Sequence, residues 1–299
     1  MHAIARMHSI RLDVRGEALS SEVFVIVLLV AVGHAAWNAL LRIEPDKHGM
    51  MRVMFATQIA AALAVLPFVT LPDPAALPYL ITSAAIGTGA MFLLSHAYKL
   101  GDLSQVYPLS RGSAPLIVVL VSTVLLGESI TPQALAGIAL IALGVISLSF
   151  AGNIRSLPNM PLIAVALANG ALSALCNLLD GYGARVSGST IGYVATLGLT
   201  LSLMVVFTTQ FTSRGKSAAI AARTIWLGAL AGLMSLIAAG TAIWAMTRAP
   251  IPLVSALRET SIIFAAAIGI FIFREKLTIR RLVSIALVLL GVIALRLDG

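Results

Sequence analysis

The sequence predicts an all-α membrane protein with ten transmembrane helices arranged as two inverted five-helix repeats. Three observations lead there: a composition too apolar for a water-soluble core, ten apolar runs of membrane-spanning length, and a match of the chain to itself at an offset of 147 residues. Of 299 residues, 59% are hydrophobic and only 11% charged, against roughly 25% charged in a soluble domain. About 20 consecutive apolar residues already cross a bilayer as a helix.

The runs of that length are 22–43, 48–71, 77–100, 103–126 and 131–150, then 159–184, 190–211, 222–246, 251–273 and 278–297, with short polar or glycine-containing turns between them. Residues 1–21 are left as an N-terminal tail, 22–150 as the first repeat and 159–297 as the second. No stretch remains for a soluble catalytic or nucleotide-binding domain. The phosphate-binding G-x-x-x-x-G-K-[ST] loop is absent, which argues against built-in ATP hydrolysis; no cofactor is implied. Arg6, Arg11 and Arg15 precede the first apolar run as they would in a signal peptide, but that run is needed to complete the first repeat and is expected to be retained. The net charge of +8 is dispersed over loops and helix ends rather than gathered in a basic stripe, so the partner it suits is a lipid bilayer and not nucleic acid. The loops opposite the N-terminus hold more Lys and Arg, which favours an outside N-terminus, whereas the tail arginines favour an inside one. Cys176 is the single cysteine and reads as a small apolar packing residue.

The self-match aligns "GESITPQALAGIALIALGVI" from Gly127 with "REKLTIRRLVSIALVLLGVI" from Arg274, and ten of the twenty positions are identical. Pairs of Leu or Ile are cheap in so apolar a chain. Glu128 with Glu275, Thr131 with Thr278 and Gly144 with Gly291 are not. The same offset places Arg111 on Arg258, and a weaker match sets Asn38 against Asn177. Five spans per repeat is an odd number, so the second copy enters the membrane from the opposite side. Inverted repeats of this kind build secondary transporters, with the solute site near the midplane where the halves meet.

Polar residues inside the spans are the candidate substrate pathway, because ionisable groups at bilayer depth are costly, roughly 2.5 to 3.5 kcal/mol at a helix centre, and mark function. Arg111 is flanked by Pro108 and Pro115, which free the carbonyls of Ser104 and Arg111, and Tyr107 shares its face one turn earlier. A fixed cation beside an aromatic ring suits an anionic or zwitterionic organic solute. Arg258 and Glu259 are adjacent in the ninth span and point about 100° apart on a continuous helix, so each needs its own partner. Arg111 with Glu259 as a buried lock between the halves is one arrangement; Arg111 as anion anchor, with Arg258 balancing Glu259 or Asp180, is the other. His34, Trp37 and Asn38 on the first span, His96 on the third, Asn177 and Asp180 on the sixth and Trp244 on the eighth complete the set. Asp180 reads equally as a solvated residue near a helix end, and Trp244 as an interfacial anchor. His34 and His96 have no companion at ligand spacing, and neither H-E-x-x-H nor a cysteine pair occurs, so a metal site is not indicated. Gly228 and Gly232 form a G-x-x-x-G suited to close helix approach.

The segments "YKLGDLSQVYPLSRGSAPLIVVLVSTVLLGESITPQALAGIALIALGVI" from Tyr98 and "AIWAMTRAPIPLVSALRETSIIFAAAIGIFIFREKLTIRRLVSIALVLLGVI" from Ala242 resemble the paired EamA domains of the drug/metabolite transporter superfamily, and "HAAWNALLR" from His34 resembles the family's first helix. The "GE" turn before a glycine-spaced last helix carries most of the likeness; the second copy departs from it with Arg274 in place of glycine. The resemblance implies a ten-helix carrier of a bacterial inner membrane. It would export amino acids or related metabolites from a central cavity, with an inside N-terminus. The reading of the residues adds alternating access, cavity lining or proton exchange by His34, which makes the proton the candidate coupling ion, and no enzymatic activity. The first-helix motif also resembles a subgroup tied to phosphonates, which makes an organophosphonate the alternative solute. The rival class is a membrane-embedded enzyme acting on a lipid-linked phosphate, with Arg111, Arg258 and Glu259 around the phosphate and His34 as acid or base. Its chemistry needs a general acid or nucleophile within hydrogen-bond reach of the anion, and the candidates here sit singly on several helices.

Overall fold

The computed structural model describes residues 19–100, 103–124, 128–148, 160–212, 220–275 and 277–297. Most of the N-terminal tail, the boundary segment 149–159 and Gly127 of the first GE turn lie outside them. Among the described residues all regular structure is helical.

Short polar residues start and stop the helices of the first half. Ser20 caps α1 (Ser21–Ile43) by accepting from the Val23 amide at 3.3 Å. Lys47 donates to the carbonyls of Leu41 and Arg42, setting a cation at the negative end of the α1 dipole. Asp46 caps α2 (Lys47–Val65) through the Gly49 amide at 2.9 Å. A 3-10 turn at Leu66–Phe68 and another at Pro74–Ala76, capped by Asp73, lead into α3 (Leu77–Leu100). After α4 (Leu103–Val124), Thr131 caps α5 (Pro132–Ser147), whose first position holds Pro132, where a missing N–H costs nothing. The second half supplies α6 (Met160–Val186), α7 (Thr190–Thr212), α8 (Ala222–Arg248), α9 (Ile251–Arg258), α10 (Ser261–Phe271) and α11 (Ile279–Leu297).

Eight described stretches are long and apolar enough to cross a membrane, one of them being α9 and α10 taken together. Of the ten expected runs, the two at the ends of the halves fall short by that measure. The apolar α5 has 16 residues, and α11 carries Arg280, Arg281 and Arg296 within its 19.

Helix continuity departs from expectation in the fourth and ninth spans. The two prolines of α4 sit inside an unbroken helix, which packs closely on α5 and α6, so its backbone faces protein rather than lipid. The ninth span, read as continuous, breaks instead at Glu259 and Thr260. Through the break the amides of Glu259, Thr260, Ile262 and Ile263 bond three residues back, at 2.9–3.1 Å, and the Thr260 hydroxyl donates to the Leu257 carbonyl at 2.6 Å. This is one tight 3-10-like turn in mid-span, a place where function often resides. No proline causes it; the side chains it positions are described below.

Between helices in lipid the drive is close packing of small residues rather than exclusion of water. In α8, Gly228 and Gly232 lie against the α2 backbone: a β-carbon on them would come within 3.0 Å of the Met50 carbonyl and 2.8 Å of the Met54 carbonyl. The α5–α11 contact is the most extensive, and it is antiparallel. Gln133 at the start of α5 donates to the Ala294 carbonyl near the end of α11, while Ser147 at the end of α5 meets Ser284 near the start of α11 at 2.7 Å. Gly144 abuts the Ser284 carbonyl, and Gly291 abuts the Gly137 carbonyl. The helices of each half pack largely on the other half: α1 on α8 and α10, α6 on α3 and α4, α2 on α7 and α8.

Where the first GE turn has glycine, the second has Arg274, and its φ is +53°. The second turn holds a left-handed residue at this position although an L side chain there costs roughly 1–2 kcal/mol. Arg274 is exposed, so Arg274→Gly is expected to raise stability by about 1 kcal/mol, net of the entropy glycine adds to the unfolded chain. A thermal unfolding scan in detergent reads this as a rise of a few degrees; a fall would show that the arginine contributes more than the strain removes.

Candidate functional site

The break in the ninth span delivers Arg258 and Glu259 to two different partners. Glu259 caps the C-terminus of α9 and is 5% exposed. Its Oε2 lies 3.0 Å from Nε of Arg111 on α4, so the first half supplies the cation and the second the anion. The Arg111 guanidinium also stands 5.9 Å from the centre of the Tyr107 ring, one turn before it on the same face. Arg258 turns to α6, where its Nη1 donates to Asn177 Oδ1 at 3.1 Å. The Asn177 amide nitrogen returns to α9, donating to Ser255 Oγ at 3.1 Å. The ion pair of Glu259 is therefore with Arg111, the buried-lock arrangement, while Arg258 is hydrogen-bonded to Asn177 and stays within electrostatic reach of both Glu259 and Asp180. A 3-10 turn makes two consecutive residues diverge in a way that partners on α4 and α6 can satisfy.

His34 on α1 lies within electrostatic reach of both arginines. Its Nδ1 accepts from Trp37 Nε1 at 3.3 Å, with the rings edge to face at 5.1 Å, so a neutral imidazole carries its proton on Nε2. Asn38 does not reach across; its amide donates to the His34 carbonyl at 2.7 Å. Asp180 is six residues inside the end of α6, and its Oδ1 is buried without a hydrogen-bond partner, which corrects the reading of a solvated helix end. It lies within electrostatic reach of Arg258.

Two residues of the predicted set stand apart. His96 is exposed on α3, and no described hydrogen bond or ion pair joins it to the others. Trp244 is half-buried near the end of α8, packs against the largest apolar cluster, and has the Arg248 guanidinium 5.6 Å from its ring.

Sequence reasoning also missed polar contacts. Gln58 on α2 joins α7 and α8 by accepting from Ser202 and donating to Ser235, both at 2.9 Å. Three ion pairs involve the glutamates matched in the repeat. Glu128 Oε1 accepts from Tyr182 Oη at 2.8 Å and lies 3.7 Å from Arg185 Nη1. Glu275 meets Arg42 at 2.5 Å and Arg281 at 2.8 Å. Partial burial pushes the Glu275 carboxyl up, but hydrogen bonds and charge from Arg281 and Arg42 together outweigh it and hold the group below the usual carboxylate range. The signal was present, since a glutamate repeated after a turn is no accident of apolar composition.

A many-span helical membrane protein whose two halves meet in a charged centre is the class this geometry defines. Residues 22–150 match the sequence model of the EamA-like transporter family. Its match covers the first of the two halves. A solved structure titled only "Crystal structure of protein" is similar over 95% of this chain and 97% of its own, with a TM-score of 0.74 and 20% identity, which is a likeness of fold. No curated protein matches the chain.

Proposed function

We propose that the chain is a secondary transporter of the inner membrane: ten spans in two inverted halves that carry a small zwitterionic metabolite outward, an amino acid or a relative of one, by alternating access. The Arg111–Glu259 pair between the halves carries this reading. A zwitterion offers both of its charges a match here, its carboxylate competing for Arg111 or Arg258 and its ammonium for Glu259. Binding then exchanges the tie between the halves for ties to the solute, which lets the halves move. Arg258 is held by the neutral Asn177 and so keeps its charge available to the solute. The antiparallel α5–α11 contact and the packing of each half on the other support the inverted arrangement. His34, within electrostatic reach of both arginines, is the candidate proton carrier.

The test is counterflow into proteoliposomes preloaded with one unlabelled solute, using labelled amino acids and organophosphonates, with and without a pH gradient. Saturable amino-acid exchange is expected, and Arg258→Lys, which loses the bidentate fork, should weaken it about tenfold. Exchange of phosphonates alone would reassign the solute to an anion, and movement of neither class by folded protein would overturn the reading.

A further inference from the structure

Glu128 and Glu275 are equivalent in the repeat, and they stand at opposite ends of the bundle. The C-terminal end of α11 lies beside the start of α1, where Arg296 donates to Ser21 at 2.7 Å, and beside the start of α5. Glu128, four residues before Pro132, is therefore at the Ser21 end of α1. Glu275 is bonded to Arg42 at the other end of α1. Each glutamate takes its arginine from the opposite half, and each arginine is the last residue but one of the first helix in its half, α1 or α6.

We propose that these contacts are a matched pair of latches, Glu128 with Arg185 closing one face of the bundle and Glu275 with Arg42 closing the other, each opening when solute passes by its own face. The inference rests on the transporter reading above and gives it its two gates. A turn glutamate pinned to the far half holds the tip of α4 or α10 against α6 or α1, and each solute path must part those tips. The latches differ in strength. Arg185 is 7% exposed in its side chain and also donates to the carbonyls of Met246 and Ala249 at 2.9 and 3.0 Å, while Tyr182 adds its hydroxyl to Glu128. The Arg42 side chain is 56% exposed, its guanidinium lies 4.3 Å from the Phe273 ring, and Arg281 shares Glu275 with it. A solvent-exposed pair contributes little, and a buried one costs much to break, so the Glu275 face is the one that opens more readily.

The experiment needs no identified solute. Tyr107→Cys in a Cys176→Ala background is reconstituted in oriented vesicles and labelled from each side with a membrane-impermeant maleimide. Glu275→Gln should raise labelling from its own face about threefold and lower it from the other. Glu128→Gln should do the reverse, by about tenfold; Tyr182→Phe, which removes only a hydroxyl, should shift labelling in the Glu128 sense and serves if Glu128→Gln fails to fold. Shifts in one direction for both faces, or none in protein that elutes as a single species, would overturn the latches alone, provided the parent is labelled from both sides. A parent labelled from one side only would sink alternating access, and the latches with it.

Discussion

Arg111→Ala is expected to be the most damaging single substitution in the chain, lowering stability by about 3–5 kcal/mol and abolishing exchange. It leaves Glu259, 5% exposed, as a carboxylate without its 3.0 Å cation, and breaking one side of a buried pair costs that much because the remaining charge is stranded. The comparison that isolates the cause is the double variant Arg111→Met with Glu259→Leu. Two apolar side chains of similar volume remove the charge along with its partner, and such replacements are often neutral or better. The thermal midpoint in detergent should fall for the single variant and largely recover for the double one, while counterflow stays lost in both. Equal midpoints for the two variants would mean that Glu259 has another compensating partner, and full exchange by the double variant would remove the pair from the transport mechanism.

Gly291→Val is expected to have the next largest effect, through packing alone. A β-carbon at Gly291 would lie 2.6 Å from the Gly137 carbonyl oxygen and 2.9 Å from the Ile141 amide nitrogen. Both are backbone atoms, so no rotamer change on α5 relieves the clash and the helices must separate. Overpacking of a filled core costs typically 1–3 kcal/mol, and here it falls on the most extensive helix contact in the molecule. Size-exclusion chromatography after extraction should show loss of the monodisperse peak. Gly33→Ala is the control, because nothing stands within 4 Å of its added carbon; equal damage from both would show that glycine matters for helix insertion and not for this contact.

The positions of most spans were legible because length and apolarity are properties of a stretch read by itself. Residue partnership was not, because it depends on which faces meet across 148 positions, as for Arg111 and Glu259. The break in the ninth span was hidden for the same reason. Proline is the local sign of a broken helix, yet α4 holds two and stays whole, whereas the turn at Glu259 is set by demands from α4 and α6. His34 was set above His96 only by its companion Asn38 one turn on, since both histidines lie on helices apolar nearly all round and no polar stripe marks the inner face. Asp180 shows the limit of counting to a helix end, since six residues are less than two turns and a neighbouring helix still covers its Oδ1.

The two sides of that mid-span turn have different surroundings. Every residue of α9 from Ile251 to Leu257 is buried, while on α10 only Ser261, Ala266 and Gly269 are, and Phe271 at its tip is 83% exposed. One arm is enclosed in close-packed protein, while the other packs on α1 along one side and leaves much of its surface uncovered. Glu259 is the joint between them. On the proposed transporter reading, a tilt of α10 in a thinner or thicker bilayer would bear on the carboxylate that pairs with Arg111, so bilayer thickness joins solute as a variable to which exchange is expected to respond.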